Sequence, residues 1–138
     1  MIKTADTIQE IEACYTVMVE LRPHLSAEQF LNQVQMQKLF AYQLSYLLVD
    51  SVVVAVAGHR MSQNLAWGKF CYVDDLITAE QHRSKGYGKQ MLDWLIEYAR
   101  QQACQQIHLD SGKQRKDAHR FYEREGLTNM GHHYSLAL

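Results

Sequence analysis

Apolar residues fall at helical spacing near the start of this chain, run in strand-like blocks through its middle, and return to helical spacing after residue 87. Ile8, Ile11, Tyr15 and Met18 recur three or four apart, which describes one face of a helix. Asp6 with Gln9 reads as its capping pair. Pro23 pushes Arg22 out of the helical region and so ends it. Ser26 with Gln29 opens a second helix, which Phe30, Leu31, Val34 and Leu39 carry to about Phe40. Residues 2–5 predict a short strand ahead of both helices.

From residue 42 the period changes. Residues 42–49 and 52–59 are rich in β-branched and aromatic side chains, and Asp50-Ser51 between them reads as a hairpin turn. Residues 61–66 read as a loop, followed by a strand over 68–77. Met91, Leu92, Leu95, Tyr98 and Ala99 form an apolar stripe over 88–102, opposite Asp93, Glu97, Arg100 and Gln101. Ile107-His108-Leu109 is a short strand. Residues 117–125 form a short helix closed by Gly126. Residues 128–138 alternate loosely and predict a last strand. The order β-α-α-β-β-β-α-β-α-β, with no repeat and no linker, predicts one α/β (α+β) domain over residues 1–138 with a mixed central sheet.

Composition narrows the function. The chain has 138 residues, 47% of them hydrophobic and 21% charged, which suffices for a core without metal or disulfide staples. A net charge of −1 argues against a general nucleic-acid binder. Most Lys and Arg residues lie in 83–124, which suits one local anionic ligand. Cys14, Cys71 and Cys104 are odd in number and far apart, without metal-ligand spacing, so a reducing cytoplasm and a metal-free protein are expected. No stretch is apolar enough for a signal core or a membrane span, so a soluble protein with no membrane partner is expected.

The informative unit is the strand, Gly-rich turn and helix over 68–102. Helix N-termini carry unpaired N–H groups and partial positive charge, so they attract phosphate. Gly86 and Gly88 leave the backbone open to close approach. Arg83, Lys85 and Lys89 add charge around the same spot. The inference is a pyrophosphate site at a helix start. Neither a Walker loop nor a dinucleotide-binding G-x-G-x-x-G is present.

The turn Arg83-Ser84-Lys85-Gly86-Tyr87-Gly88 resembles the phosphate signature of the GNAT superfamily of acyl-CoA N-acyltransferases: Arg or Gln, two residues, Gly, one residue, then Gly or Ala. Ala118, Tyr122 and Gly126 match a second family pattern, N-x-x-A-x-x-x-Y-x-x-x-G followed by an aromatic. Arg115 stands where that pattern has asparagine, and Leu127 where it has the aromatic. The resemblance covers essentially the whole chain. It implies splayed central strands, with acetyl-CoA lying between those near 68–77 and 106–111. By the same resemblance, backbone N–H groups of Leu76 and Ile77 hold the acetyl and pantetheine end. Those of Ser84, Lys85, Gly86, Tyr87, Gly88 and Lys89 hold the pyrophosphate beside Arg83, and Arg115 lies near the cofactor. Tyr122 is then the acid for the departing thiolate, and Asp75 the base or amine-binding group.

Asp74 and Asp75 are adjacent in a strand and so should point to opposite faces, unless a bulge intervenes. Glu20 and Arg22, at the end of the first helix, and Asp74 are candidate acceptor contacts. His108, His119, His132 and His133 are expected to be structural or exposed.

The expected activity is transfer of acetyl from acetyl-CoA to a primary amine, that of a small molecule. The segment 116–122 is similar to the ending of aminoalkylphosphonate N-acetyltransferases, which makes an acid-bearing amine one candidate. The Glu20 and Asp75 carboxylates would instead suit a polyamine. The alternative from another class is a non-catalytic acyl-CoA sensor on the same fold. The sequence leaves the oligomeric state open, a homodimer included.

Overall fold

The computed structural model describes residues 1–138 as two units, Met1–His108 and Leu109–Leu138. The elements are β1 (Ile2–Thr4), α1 (Ile8–Leu21), α2 (Ala27–Lys38), β2 (Tyr42–Val49), β3 (Val52–Asn64), β4 (Gly68–Thr78), α3 (Tyr87–Gln101), β5 (Gln106–Leu109) and α4 (Lys116–Arg124). The five strands form one mixed sheet in the order β1-β2-β3-β4-β5, an α/β fold as expected.

Local chemistry explains most boundaries. The box that opens α1 is Thr7 with Glu10, one residue later than the Asp6 and Gln9 expected: Thr7 Oγ1 accepts from Glu10 N at 3.1 Å, and Glu10 Oε1 accepts from Thr7 N at 3.1 Å. Thr7 with Glu10 supplies both halves of a capping box, whereas Asp6 with Gln9 does not. The α2 box is Ser26 with Gln29, as read from the sequence. Asp50 and Ser51 both take positive φ, 50° and 64°, the geometry a type I′ hairpin requires.

β3 runs through Asn64, so most of the loop expected over 61–66 is strand, paired with β4 as far as Asn64↔Gly68. The larger difference is at 128–138, where no strand forms. Met130, Tyr134, Leu136 and Leu138 are exposed there. Alternation alone does not make a strand; a neighbour must accept the ladder.

In Met1–His108 the sheet is covered on both faces. On one face α1 and α2 bury Ile11, Cys14, Val17, Met18, Phe30 and Val34 against Leu44, Tyr46, Val56 and Ile77. On the other, α3 buries Met91, Leu92, Leu95 and Ala99. Each large buried side chain contributes about 1.5–3 kcal/mol by leaving water.

Two irregularities position the site. β3 pairs Gly58 with Asp75 but His59 with Val73, so Asp74 is an extra residue in β4, a β-bulge. β5 has four residues beside the eleven of β4, and Gln105 N bonds Lys69 O at 2.7 Å, near the beginning of β4. β5 is therefore too short to reach Leu76 and Ile77, and that end of β4 opens on one side.

Candidate active site

The Gly-rich turn leaves main-chain donors open at the start of α3. Gly86 takes φ +83°, the left-handed region that glycine enters without penalty, and stands as the N-cap of α3. Ser84 also takes positive φ, 63°. The first bond of the α3 ladder runs from Gln90 N to Gly86 O at 3.1 Å. The amides ahead of it have no partner within the helix, and no side chain caps them. No acidic residue occupies the first turn, which keeps the positive end of the helix uncompensated.

Arg83, Lys85 and Lys89 are exposed around the turn. Arg83 Nε bonds Thr78 O at 3.3 Å, and Lys89 Nζ pairs with Asp93 at 2.9 Å. Glu20 reaches this turn: its Oε1 accepts from Glu80 N at 2.8 Å and lies 3.9 Å from Arg83 Nη2. Main-chain donors at a helix start and cations beside them are the groups that attract an anion.

The same sheet carries a cavity of about 320 Å3 on its α1–α2 face. Its polar lining includes Arg22, His24, Tyr42, Tyr72, Asp74 and Asp75, and its apolar lining includes Met18, Leu25, Phe30 and Val34. Asp74 and Asp75 both line it, contrary to the opposite faces expected of a regular strand. The bulge is the reason: the extra residue lets two consecutive carboxylates reach one side.

Each carboxylate has its own arginine. Arg60 grips Asp74 with both Nε, at 3.0 Å, and Nη2, a bidentate fork. Arg22 Nε donates to Asp75 Oδ1 at 2.9 Å, and Arg22 Nη2 donates to the Asp74 carbonyl at 3.0 Å. Tyr42 donates its hydroxyl to Asp75 Oδ2 at 2.8 Å. Burial, with the charge of Asp75 beside it, pushes the Tyr42 phenol well above 10. Gly58 makes room for this contact. A Cβ there would stand 1.9 Å from the Tyr42 hydroxyl and 2.5 Å from Asp75 Oδ2.

The geometry thus joins Arg22, Asp74 and Asp75 in the cavity and takes Glu20 to the turn. Tyr42, Arg60 and His24 were not anticipated. A glycine inside a run of strand formers signals close approach, and Gly58 was the one sequence cue to Tyr42.

In Leu109–Leu138, Tyr122 is buried on α4. Burial raises its phenol above 10, opposed by the nearby Arg115 guanidinium, which is hydrogen-bonded to it. His119 Nε2 lies 2.7 Å from the Gly112 carbonyl, and His133 Nδ1 lies 3.5 Å from Asp110.

The fold thus combines a mixed α/β sheet, an uncapped helix start after β4 and a carboxylate-lined cavity on the same strand. The chain belongs to the Acetyltransferase (GNAT) family, whose profile matches residues 5–127. It is 37% identical over 123 residues to an uncharacterised N-acetyltransferase, YhdJ, of Bacillus subtilis, covering 87% of this chain and 86% of that protein. It is 35% identical over 66 residues to the aminoalkylphosphonate N-acetyltransferase of Salmonella typhimurium, 48% of this chain and 43% of the relative. Among solved structures, an aminoglycoside N-acetyltransferase in complex with CoA superposes with a TM-score of 0.88 at 10% identity, over 100% of this chain and 93% of that one. The protein is therefore an acyltransferase enzyme, and acetyl-CoA is the acyl donor of its family. No helix is long and apolar enough to cross a membrane.

Proposed function

We propose that residues 1–138 act as one N-acetyltransferase domain that moves acetyl from acetyl-CoA directly to the primary amine of a small molecule in the cytoplasm. The observation that carries this reading is the double duty of β4. Asp74 and Asp75 line a cavity, and the chain then runs through Leu76 and Ile77 into the uncapped turn. Donor and acceptor sites on one strand suit direct attack of amine on thioester. No cysteine, serine or threonine lines the cavity to take the acetyl group first. Burial pushes the Cys14 and Cys71 thiols up to about 12, which disfavours the thiolate a covalent route needs.

In this reading the amides of residues 84–89 and the cations Arg83, Lys85 and Lys89 hold the pyrophosphate. Leu76 offers its main-chain N–H to the acetyl end with Ile77 beside it, whose own N–H is turned toward β3, and Asp75 with Asp74 and Arg22 orients the acceptor. Tyr122, kept protonated by burial, gives its proton to the departing thiolate. Arg115, hydrogen-bonded to Tyr122, holds that phenol in place. The similarity to an aminoalkylphosphonate N-acetyltransferase supports a small acceptor.

The experiment is release of free CoA thiol with a panel of amines: β-alanine, aminoethylphosphonate, ethanolamine, lysine and spermidine. Turnover with at least one is expected, and Tyr122→Phe lowers it by about 100-fold. Gly86→Glu sets a carboxylate against the phosphates and raises the acetyl-CoA KM by ~10-fold or more. Tight acetyl-CoA binding with no turnover on any amine would make the chain a sensor instead. Unchanged acetyl-CoA affinity in Gly86→Glu would remove the pyrophosphate site.

A further inference from the structure

Direct transfer needs a group that takes a proton from the acceptor ammonium. We propose that His24 is this base, an inference that rests on the cavity being the acceptor site. The titratable side chains lining the cavity are Arg22 from the end of α1, His24 from the α1–α2 link, Tyr42 from β2, and Tyr72, Asp74 and Asp75 from β4; α2 contributes only the amides Gln33 and Gln37 among polar groups.

Five of the six are poorly suited. A guanidinium holds its proton throughout the working range. The Tyr42 phenol, buried and already donating to Asp75, is pushed the wrong way. A phenol such as Tyr72 ordinarily titrates near ~10. Both oxygens of Asp74 accept from Arg60, and those of Asp75 accept from Arg22 and Tyr42. A carboxylate ordinarily titrates near ~4 and is a weaker base than imidazole, while the lone pairs left on these oxygens can still accept from an ammonium N–H. Those carboxylates are built to attract and orient an ammonium.

His24 is different in each respect. It is exposed at the cavity wall, and neither ring nitrogen makes a hydrogen bond within the fold. Imidazole is the side chain that ordinarily exchanges protons near neutral pH.

Its position is also fixed. His24 is the third residue of a tight turn, Arg22-Pro23-His24-Leu25, closed by Leu25 N donating to Arg22 O at 3.1 Å. Proline at the second position presets that turn. One end is tied down by the Arg22–Asp75 contact at 2.9 Å. The other is held by Tyr15, whose hydroxyl donates to Leu25 O at 2.7 Å. The imidazole and the amine-orienting carboxylate are thus linked through Arg22, one residue of main chain apart from His24.

An ammonium bound at Asp75 passes one proton to a ring nitrogen of His24. The freed nitrogen lone pair attacks the thioester carbonyl carbon, a C–N bond forms, and the C–S bond breaks with its electron pair leaving on sulfur. The second proton lost by nitrogen ends on the CoA thiol, and His24 returns the first to solvent. The products are amide, CoA thiol and one proton.

The test is the pH profile of kcat/KM for His24→Gln, using whichever amine of the panel the unaltered enzyme turns over. His24 is exposed, so this variant should fold, and an unchanged Tm checks it. Expected are a loss of about 100-fold near neutral pH, a shrinking deficit as pH rises and the free amine becomes abundant, and partial rescue by added imidazole. An unchanged rate and profile would overturn the assignment and leave the acetyltransferase reading standing. A uniform loss at every pH without rescue would also overturn it, since that describes a binding residue. If the unaltered enzyme acetylates no amine, both readings fall together.

Discussion

The two faces of the sheet both take polar groups out of water, and they do so by different means. The α1–α2 face keeps its groups charged and pairs them, Arg60 with Asp74 and Arg22 with Asp75, around an open cavity. The α3 face keeps its group neutral and covers it. His59 is 1% exposed, its Nε2 lies 3.0 Å from Ser45 Oγ, and the stacked rings of Trp94 and Tyr98 meet it edge-on. Burial pushes its titration down to about 4. The neighbouring residues Gly58, His59 and Arg60 therefore serve three ends: room for a hydroxyl, a closed core, and a charged cavity wall. Paired charges suit a face that must admit a polar ligand. A desolvated neutral ring suits a face that must not open.

The largest expected effect distinguishes the faces by pH. His59 titrates at about 4 in the fold and near 6.5 when unfolded. Between those values the unfolded chain binds a proton that the native chain does not, so stability falls as pH drops through this window and is intact above it. The loss by about pH 4 is on the order of 3 kcal/mol. Urea unfolding across that range checks it, and His59→Leu should remove this part of the slope. A slope unchanged in His59→Leu would break the comparison.

Next in size is the Arg60–Asp74 pair. Arg60→Met strands the Asp74 carboxylate. Because the side chains are 32% and 21% exposed, the cost is about 2 kcal/mol, below that of a fully buried pair. Replacing Asp74 by Leu in the same chain should recover much of it, as read from the two unfolding midpoints. The smallest effect is Ser45→Ala, about 1 kcal/mol for the partner His59 loses. That variant should leave acetyl-CoA and acceptor KM values unchanged, since Ser45 faces away from the cavity.

The turn at 83–88 was legible because its chemistry is local: glycines at set spacing, a strand before them, a helix after. The hairpin at Asp50-Ser51 and the Ser26 box were legible for the same reason. The acceptor side was not. Arg22 and Asp75 are 53 residues apart, and Tyr42 and Asp75 are 33. No periodicity encodes such pairings. The first box slipped by one residue because Asp6 and Thr7 both accept as caps, and only the reciprocal Glu10 contact decides between them. The expected strand over 128–138 failed because its alternation is necessary for a strand and not sufficient.

The extra residue in β4 makes that strand readable in two frames, one before Asp74 and one after it. Tyr72 and Asp75 share a side only because the frame shifts between them. Deleting Asp74 would leave Val73 opposite His59 and Asp75 opposite Gly58, so both halves of the strand would keep their phase with β3 and only the contacts of Asp74 itself would be lost. The bulge is therefore a place where a single-codon deletion would take one carboxylate from the cavity without turning the strand over.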